Sequence, residues 1–155
     1  MNTIETRDKW VNLLKKIGLN PIVPDNDSYM IEVDYFGQLI SIMFHVEGLI
    51  LIGCSICLLK NSDAITLNRY LEAVRVASRD EAVPKIILMQ PYGTGERPIQ
   101  AWHSLFIDFN FEDRSLEDDN KVTLIRILNS LLNASKVIVQ YLSGSDVVTK
   151  IATNN

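Results

Sequence analysis

Cys54 and Cys57 stand three residues apart in the run Cys-Ser-Ile-Cys, a spacing used by redox dithiols and by half of a zinc site. Both chemistries need a context that this sequence does not supply. Redox pairs sit at a strand-to-helix junction, where a helix N-terminus lowers the thiol pKa. Here both lie inside an apolar, β-rich run, and an offset of three places them on opposite faces of a strand. There is no second Cys pair, and only His45 and His103 could add nitrogen ligands, so a closed zinc site lacks its set. The thiols read as buried structural residues.

Asp108, Glu112 and Asp113 gather carboxylates at the end of a long strand, a grouping that could serve acid–base or metal chemistry. Asp108 falls on the solvent face of that strand, and the other two start a helix, where negative charge is favourable. His103 lies on the apolar face, opposite Asp108, so alternation keeps imidazole and carboxylate apart. A histidine on a core face is more often a hydrogen-bonded core residue than a base. Gly93-Thr94-Gly95 sits in a strand-to-strand turn and lacks the helix N-terminus that a phosphate cradle needs. No catalytic residue, metal ligand or cofactor follows from these groups. A small-molecule or catalytic site near His103 stands as the alternative to a binding role.

The stretch Ile99 to Phe111 carries a different signal. Its odd positions, from Ile99 through Ala101, His103, Leu105, Ile107 and Phe109 to Phe111, form one nearly continuous apolar face. Its even positions are polar except for Trp102 and Phe106. Leu39 and Met43 occupy the corresponding outward set of an earlier strand. Aromatics on the outer face of a sheet meet either a partner or another element of the chain. If helices cover both sides of the sheet, these four residues are core. If not, Leu39, Met43, Trp102 and Phe106 are the expected contact surface for another protein or a second copy of the chain.

Composition narrows the classes further. At 155 residues the chain is long enough for one domain with a real core, and 47% hydrophobic with 22% charged residues excludes intrinsic disorder. A net charge of −4 with a pI near 5.1 gives no field for nucleic acid or anionic lipid. The N-terminus Met-Asn-Thr-Ile-Glu-Thr-Arg-Asp-Lys-Trp has no long apolar run, and the apolar window Leu49 to Leu59 is too short to span a bilayer. The expectation is a soluble cytoplasmic protein with no nucleic-acid or membrane partner.

The elements that must position these residues follow from periodicity. Trp10, Leu13, Leu14 and Ile17 repeat with helical spacing, and Gly18 stands where a left-handed C-terminal residue is wanted, so a helix is expected over about 4–17. Alternation predicts strands over 28–35 and 38–46, and a continuous apolar run predicts a strand over 49–59 that is covered on both faces. Asn61, Ser62 and Asp63 offer caps for a second helix to about Ser78, with Ala64, Leu67, Leu71 and Val74 as its buried stripe. Strands over 83–89 and 99–111 follow, joined by the loop Pro91 to Pro98. Ser115 with Asp118 reads as a capping box before a third helix over 116–142, with Leu124, Leu128, Leu131, Leu132, Ser135 and Val139 inward. The order is α-βββ-α-ββ-α: a single α+β domain over 1–142 with an antiparallel sheet of about five strands, then a polar tail over 143–155, ordered in part.

This order resembles the fold shared by type III secretion chaperones and YbjN-like bacterial regulators. The resemblance rests on the helix TRDKWVNLLKKIGL, the meander SYMIEVDYFGQLISIMFHVEGLILIGCSICL, the helix DAITLNRYLEAVRVAS and the final IRILNSLLNASKVIVQYL. It spans residues 4 to 142 and contains no diagnostic motif. It implies a non-enzymatic, homodimeric protein that acts by holding another polypeptide, as the secretion chaperones hold an extended segment over apolar patches. The loop Pro91 to Pro98 and the tail beyond Gly144 depart from the chaperone pattern.

Overall fold

The computed structural model describes residues 3–45, 48–79, 84–106, 117–143 and 147–150. Helix α1 spans Thr3–Lys16, with Trp10, Leu13 and Leu14 buried. Gly18 ends it at φ 90°, with Leu19 N–H donating to Leu14 C=O and Gly18 N–H to Lys15 C=O. This is the left-handed cap that a residue without Cβ adopts at low cost. Strands β1 (Met30–Tyr35), β2 (Gln38–Phe44) and β3 (Leu49–Leu59) form the expected antiparallel meander. Phe36 and Gly37, at φ 51° and 83°, make the first turn, and the Asp34 carboxylate accepts from Gly37 N–H.

Helix α2 (Ala64–Ala77) is capped by Asp63, whose carboxylate accepts from Thr66 N–H and is thereby held below the usual carboxylate pKa range. The hairpin β4 (Lys85–Leu88) and β5 (Arg97–Phe106) follows. Met89 N–H donates to Pro98 C=O, but Pro98 has no N–H to return the bond. The Arg97 guanidinium takes that place and donates to Met89 C=O, which closes the hairpin end. Helix α3 spans Glu117–Tyr141, and a short β6 (Val148–Lys150) completes the sheet. The strand order is β1-β2-β3-β5-β4, with β6 pairing β3 beyond the start of β2. The fold is therefore the expected α+β arrangement with one added strand.

One face of the sheet is sealed. Ile31, Val33, Ile40, Ile42, Ile50, Ile52, Ile99 and Ala101 point into a core shared with Trp10 of α1 and with Leu124, Leu128 and Leu131 of α3. Trp10 meets Phe44 edge-on at a centroid distance of 6.0 Å. By length and composition Asn120–Tyr141 could cross a membrane, but here its leucines are the core that fills the inner face.

Three expectations need correction. Of the expected α2 stripe, Ala64 and Leu71 are exposed and Leu67 and Val74 only half-buried; the helix instead buries Thr66, Tyr70, Ala73 and Ala77, the face it turns to the core beside α3. Leu49 to Leu59 is not covered on both faces: Ile50, Ile52 and Cys54 are buried, whereas Leu49 and Leu51 are only partly so and Ser55 is exposed. Cys54 and Cys57 do not lie on opposite faces. A β-bulge between Ser55 and Cys57 inserts one residue, so Cys54 pairs with Ala101 and Cys57 with Ile99, both on the core face.

A candidate protein-binding surface

Pairs directly opposite one another in an antiparallel sheet share a face. Opposite the sealed face, five strand residues run in one cross-strand row, Lys85 (β4), Trp102 (β5), Gly53 (β3), Ser41 (β2) and Glu32 (β1), which Ile22 extends by a bridge to Glu32. The neighbouring row holds Ser104, Leu51, Met43 and Met30. Leu39 lies on the same face, across from Asp34. None of the described helices covers these residues: Leu39 is 48% exposed, and Ser55 and Ser104 are also exposed.

Trp102 explains how a large aromatic is kept on such a face. Its indole lies flat over Gly53, close enough that a Cβ there would fall 2.2 Å from two ring atoms and 2.6 Å from Ala101 C=O. The glycine is required by this close approach, as glycines inside strands often are. Trp102 Nε1–H donates to the Gln100 side chain at 2.9 Å, so the ring is held at both its polar and apolar ends. It is half-buried, on a face that none of the described helices covers. Leu39, Met43 and Trp102 thus share the uncovered face. Phe106 closes β5 opposite Leu49, and its side chain lies outside the described residues.

The pairs with possible chemistry have other roles. The His103 ring reaches Ser130 of α3, with 2.7 Å between Nε2 and Oγ, and the Ser130 hydroxyl donates to Ile127 C=O. Because that hydroxyl proton is committed to a carbonyl, Oγ accepts from Nε2–H. A serine nucleophile needs the reverse, with the imidazole accepting its proton. Burial also pushes the His103 pKa below its ordinary value, which keeps the ring neutral. His103 is a strand-to-helix tie, like Tyr35, whose hydroxyl donates to Asn129 at 2.6 Å, and Gln38, which accepts from Ser135 at 2.8 Å.

Burial pushes the Cys54 thiol up to about 12 and the Cys57 thiol to about 11, so neither forms a thiolate at neutral pH. Asp108, Glu112 and Asp113 lie outside the described residues. Among the described residues, no cluster of His, Cys, Asp and Glu could hold a metal ion. A half-open groove of about 370 Å³ runs between α2 and α3, lined by Ala77, Pro84, Arg126, Asn129, Ser130 and Asn133.

The sequence alone did not identify Gly53 as the seat of Trp102, nor that Lys85, Ser41 and Glu32 share its row. An isolated glycine in an apolar strand is the local signal for close approach, but its occupant is set by cross-strand register.

The architecture defines an α+β domain of YbjN-like fold, helices on one sheet face and none of those described on the other. The crystal structure of YbjN from E. coli, provisionally described as a transcription regulator, matches it with a TM-score of 0.62 at 16% sequence identity. The match covers 93% of this chain and 95% of that one. No family model matches the sequence, and no curated protein does. The YbjN half of the sequence resemblance is thus supported at the level of fold, and the secretion-chaperone half rests on the sequence pattern alone.

Proposed function

We propose that this chain is a non-enzymatic, regulatory protein-binding module that holds a polypeptide against the helix-free face of its sheet. The observation that carries the reading is Trp102, laid over Gly53 and flanked on the same face by Leu39, Met43 and Leu51. A half-buried tryptophan pinned in one orientation loses little entropy on contact, which suits a binding anchor. The YbjN-like fold agrees with this reading through the regulatory description of its solved relative. The polar ties of His103 and Ser130 leave that pair structural rather than catalytic.

Site-specific photo-cross-linking tests it. A photoreactive side chain at Ser104, on the open face, is expected to trap a polypeptide in the native host, and Trp102→Ala to abolish the product. The same group at Lys136, exposed on α3, is the control. Equal products from both positions, or a product indifferent to Trp102→Ala, would contradict the assignment.

A further inference from the structure

Resting on that reading of the open face, we infer that the polypeptide held there is an amphipathic helix with a basic flank, lying along β3. Leu49, Leu51, the Trp102 ring over Gly53 and, beyond Ser55, Leu58 follow one another down this face. They make an apolar stripe ~30 Å long, the strand rise from Leu49 to Leu58, which matches about five turns of helix. Leu39 and Met43 of β2 widen it on one side.

The main chain under the stripe is already engaged. β5 pairs β3 along its length, and β2 and then β6 pair its other side. An extended peptide laid on the stripe would press its own N–H and C=O groups onto side chains that cannot bond them, and buried amides without partners are costly. A helix satisfies those groups internally and brings only side chains to the contact. The sealed face of the same sheet is covered in this way, by α1 and α3. An extended peptide would take the outer edge of β4 instead, which has no partner strand among the described residues. The β1 edge is blocked at Glu32, where Ile22 exchanges both backbone hydrogen bonds.

Charge selects the flank. Glu32 and Asp34 stand on β1, ~10 Å from β3 at two strand spacings, within reach of the sides of a helix ~10 Å across. Neither makes an ion pair with another described residue. On the other side Lys85 of β4 stands at the same remove. Lysine or arginine along the flank facing β1 therefore complements this face, whereas carboxylates there would be repelled.

Calorimetric titration with two synthetic peptides of leucine and lysine tests the inference. In the first, leucines repeat at i, i+3, i+4 and i+7, the pattern of an amphipathic helix; in the second they alternate with lysine, the pattern of a strand. The helical peptide should bind and gain helicity in circular dichroism, and the alternating peptide should bind at least roughly tenfold more weakly, as a buried chain with unpaired amides must. Trp102→Ala should weaken the helical peptide by about tenfold or more, as loss of a central aromatic anchor does. Glu32→Lys with Asp34→Lys should weaken it roughly fivefold at low salt and less at high salt. The same reversal at Glu5, exposed on α1, should change little. An alternating peptide that binds as tightly overturns the inference, and so does helical-peptide binding indifferent to Trp102→Ala and to the β1 reversals. Failure of the helical peptide to bind overturns it too, including where a second copy of the chain already covers the face. If it fails while the Ser104 cross-linker still traps a polypeptide, the helix is wrong and the binding face stands. If the cross-linker traps nothing either, both fail.

Discussion

The two faces of this sheet are made by the same strands and share every backbone hydrogen bond, yet one is covered by helices and the other by none of those described. Along β3, Ile50, Ile52 and Cys54 point one way and are buried under α1 and α3; Leu49, Leu51 and Gly53 point the other and meet none of the described helices. On the sealed face, shape is filled by aliphatic side chains and a few side-chain hydrogen bonds to α3. On the open face, the middle is hollowed by Gly53 and Ser41 and refilled by a single indole. Under the proposed function, alternation separates stability from recognition within one strand, and substitutions one residue apart should behave differently.

The largest expected effect lies on the sealed face. Ile52→Ala, at a site with no solvent exposure, should lower unfolding free energy by about 2–5 kcal/mol in urea titration, through lost burial and a residual cavity. Gly53→Ala, the next residue along, should cost about 1–3 kcal/mol, because the new methyl must displace the Trp102 ring and crowd Ala101 C=O. In a Trp102→Ala background that cost should shrink but not vanish, since the backbone clash persists; strict additivity in the double-mutant cycle would break the account of the indole's seat.

Trp102→Ala alone should leave a cooperative unfolding transition and cost about 1–2 kcal/mol, as expected for losing one partly buried side chain. Global unfolding of that variant would place Trp102 in the core and erase the distinction between the faces. The smallest effect concerns His103. Burial holds its folded pKa below the ordinary 6.5, so below that pH the unfolded chain binds the proton more readily and stability declines as pH falls through the lower folded value. Above pH 6.5 the ring is neutral in both states and contributes no slope. His103→Gln retains a donor for Ser130 without a titrating ring, so its stability curve should lose that acid-side component.

What the sequence made legible was local. The α1 stripe ending at Gly18 and the alternation in β1 and β2 are written in residues a few positions apart. What it concealed depended on distant partners. The bulge that brings Cys54 and Cys57 to one face is set by pairing with β5, some forty residues later. The phase of α2 is set by close contact with α3, which overrides the stripe through Leu67 and Leu71. Strand β6 is three residues long, too short to show a period of its own, and its signal was only the apolar Val147 and Val148 in a polar tail. The surface of Leu39, Met43 and Trp102 was half legible: their shared face follows from alternation, but whether a helix covers it is a tertiary fact.

The chain's two tryptophans report on the two faces separately, Trp10 fully buried against Phe44 and Trp102 half-buried over Gly53 on the other face. Acrylamide quenching of their fluorescence is therefore the most direct test that the helix-free face is the working surface. In dilute protein, one emission component should be quenched freely and the other hardly at all, with the quenchable one lost in Trp102→Phe. When a bound polypeptide covers the face, that component should become protected. Two protected tryptophans in the free protein, or a quenchable Trp102 unaffected by the polypeptide trapped at Ser104, would contradict the account.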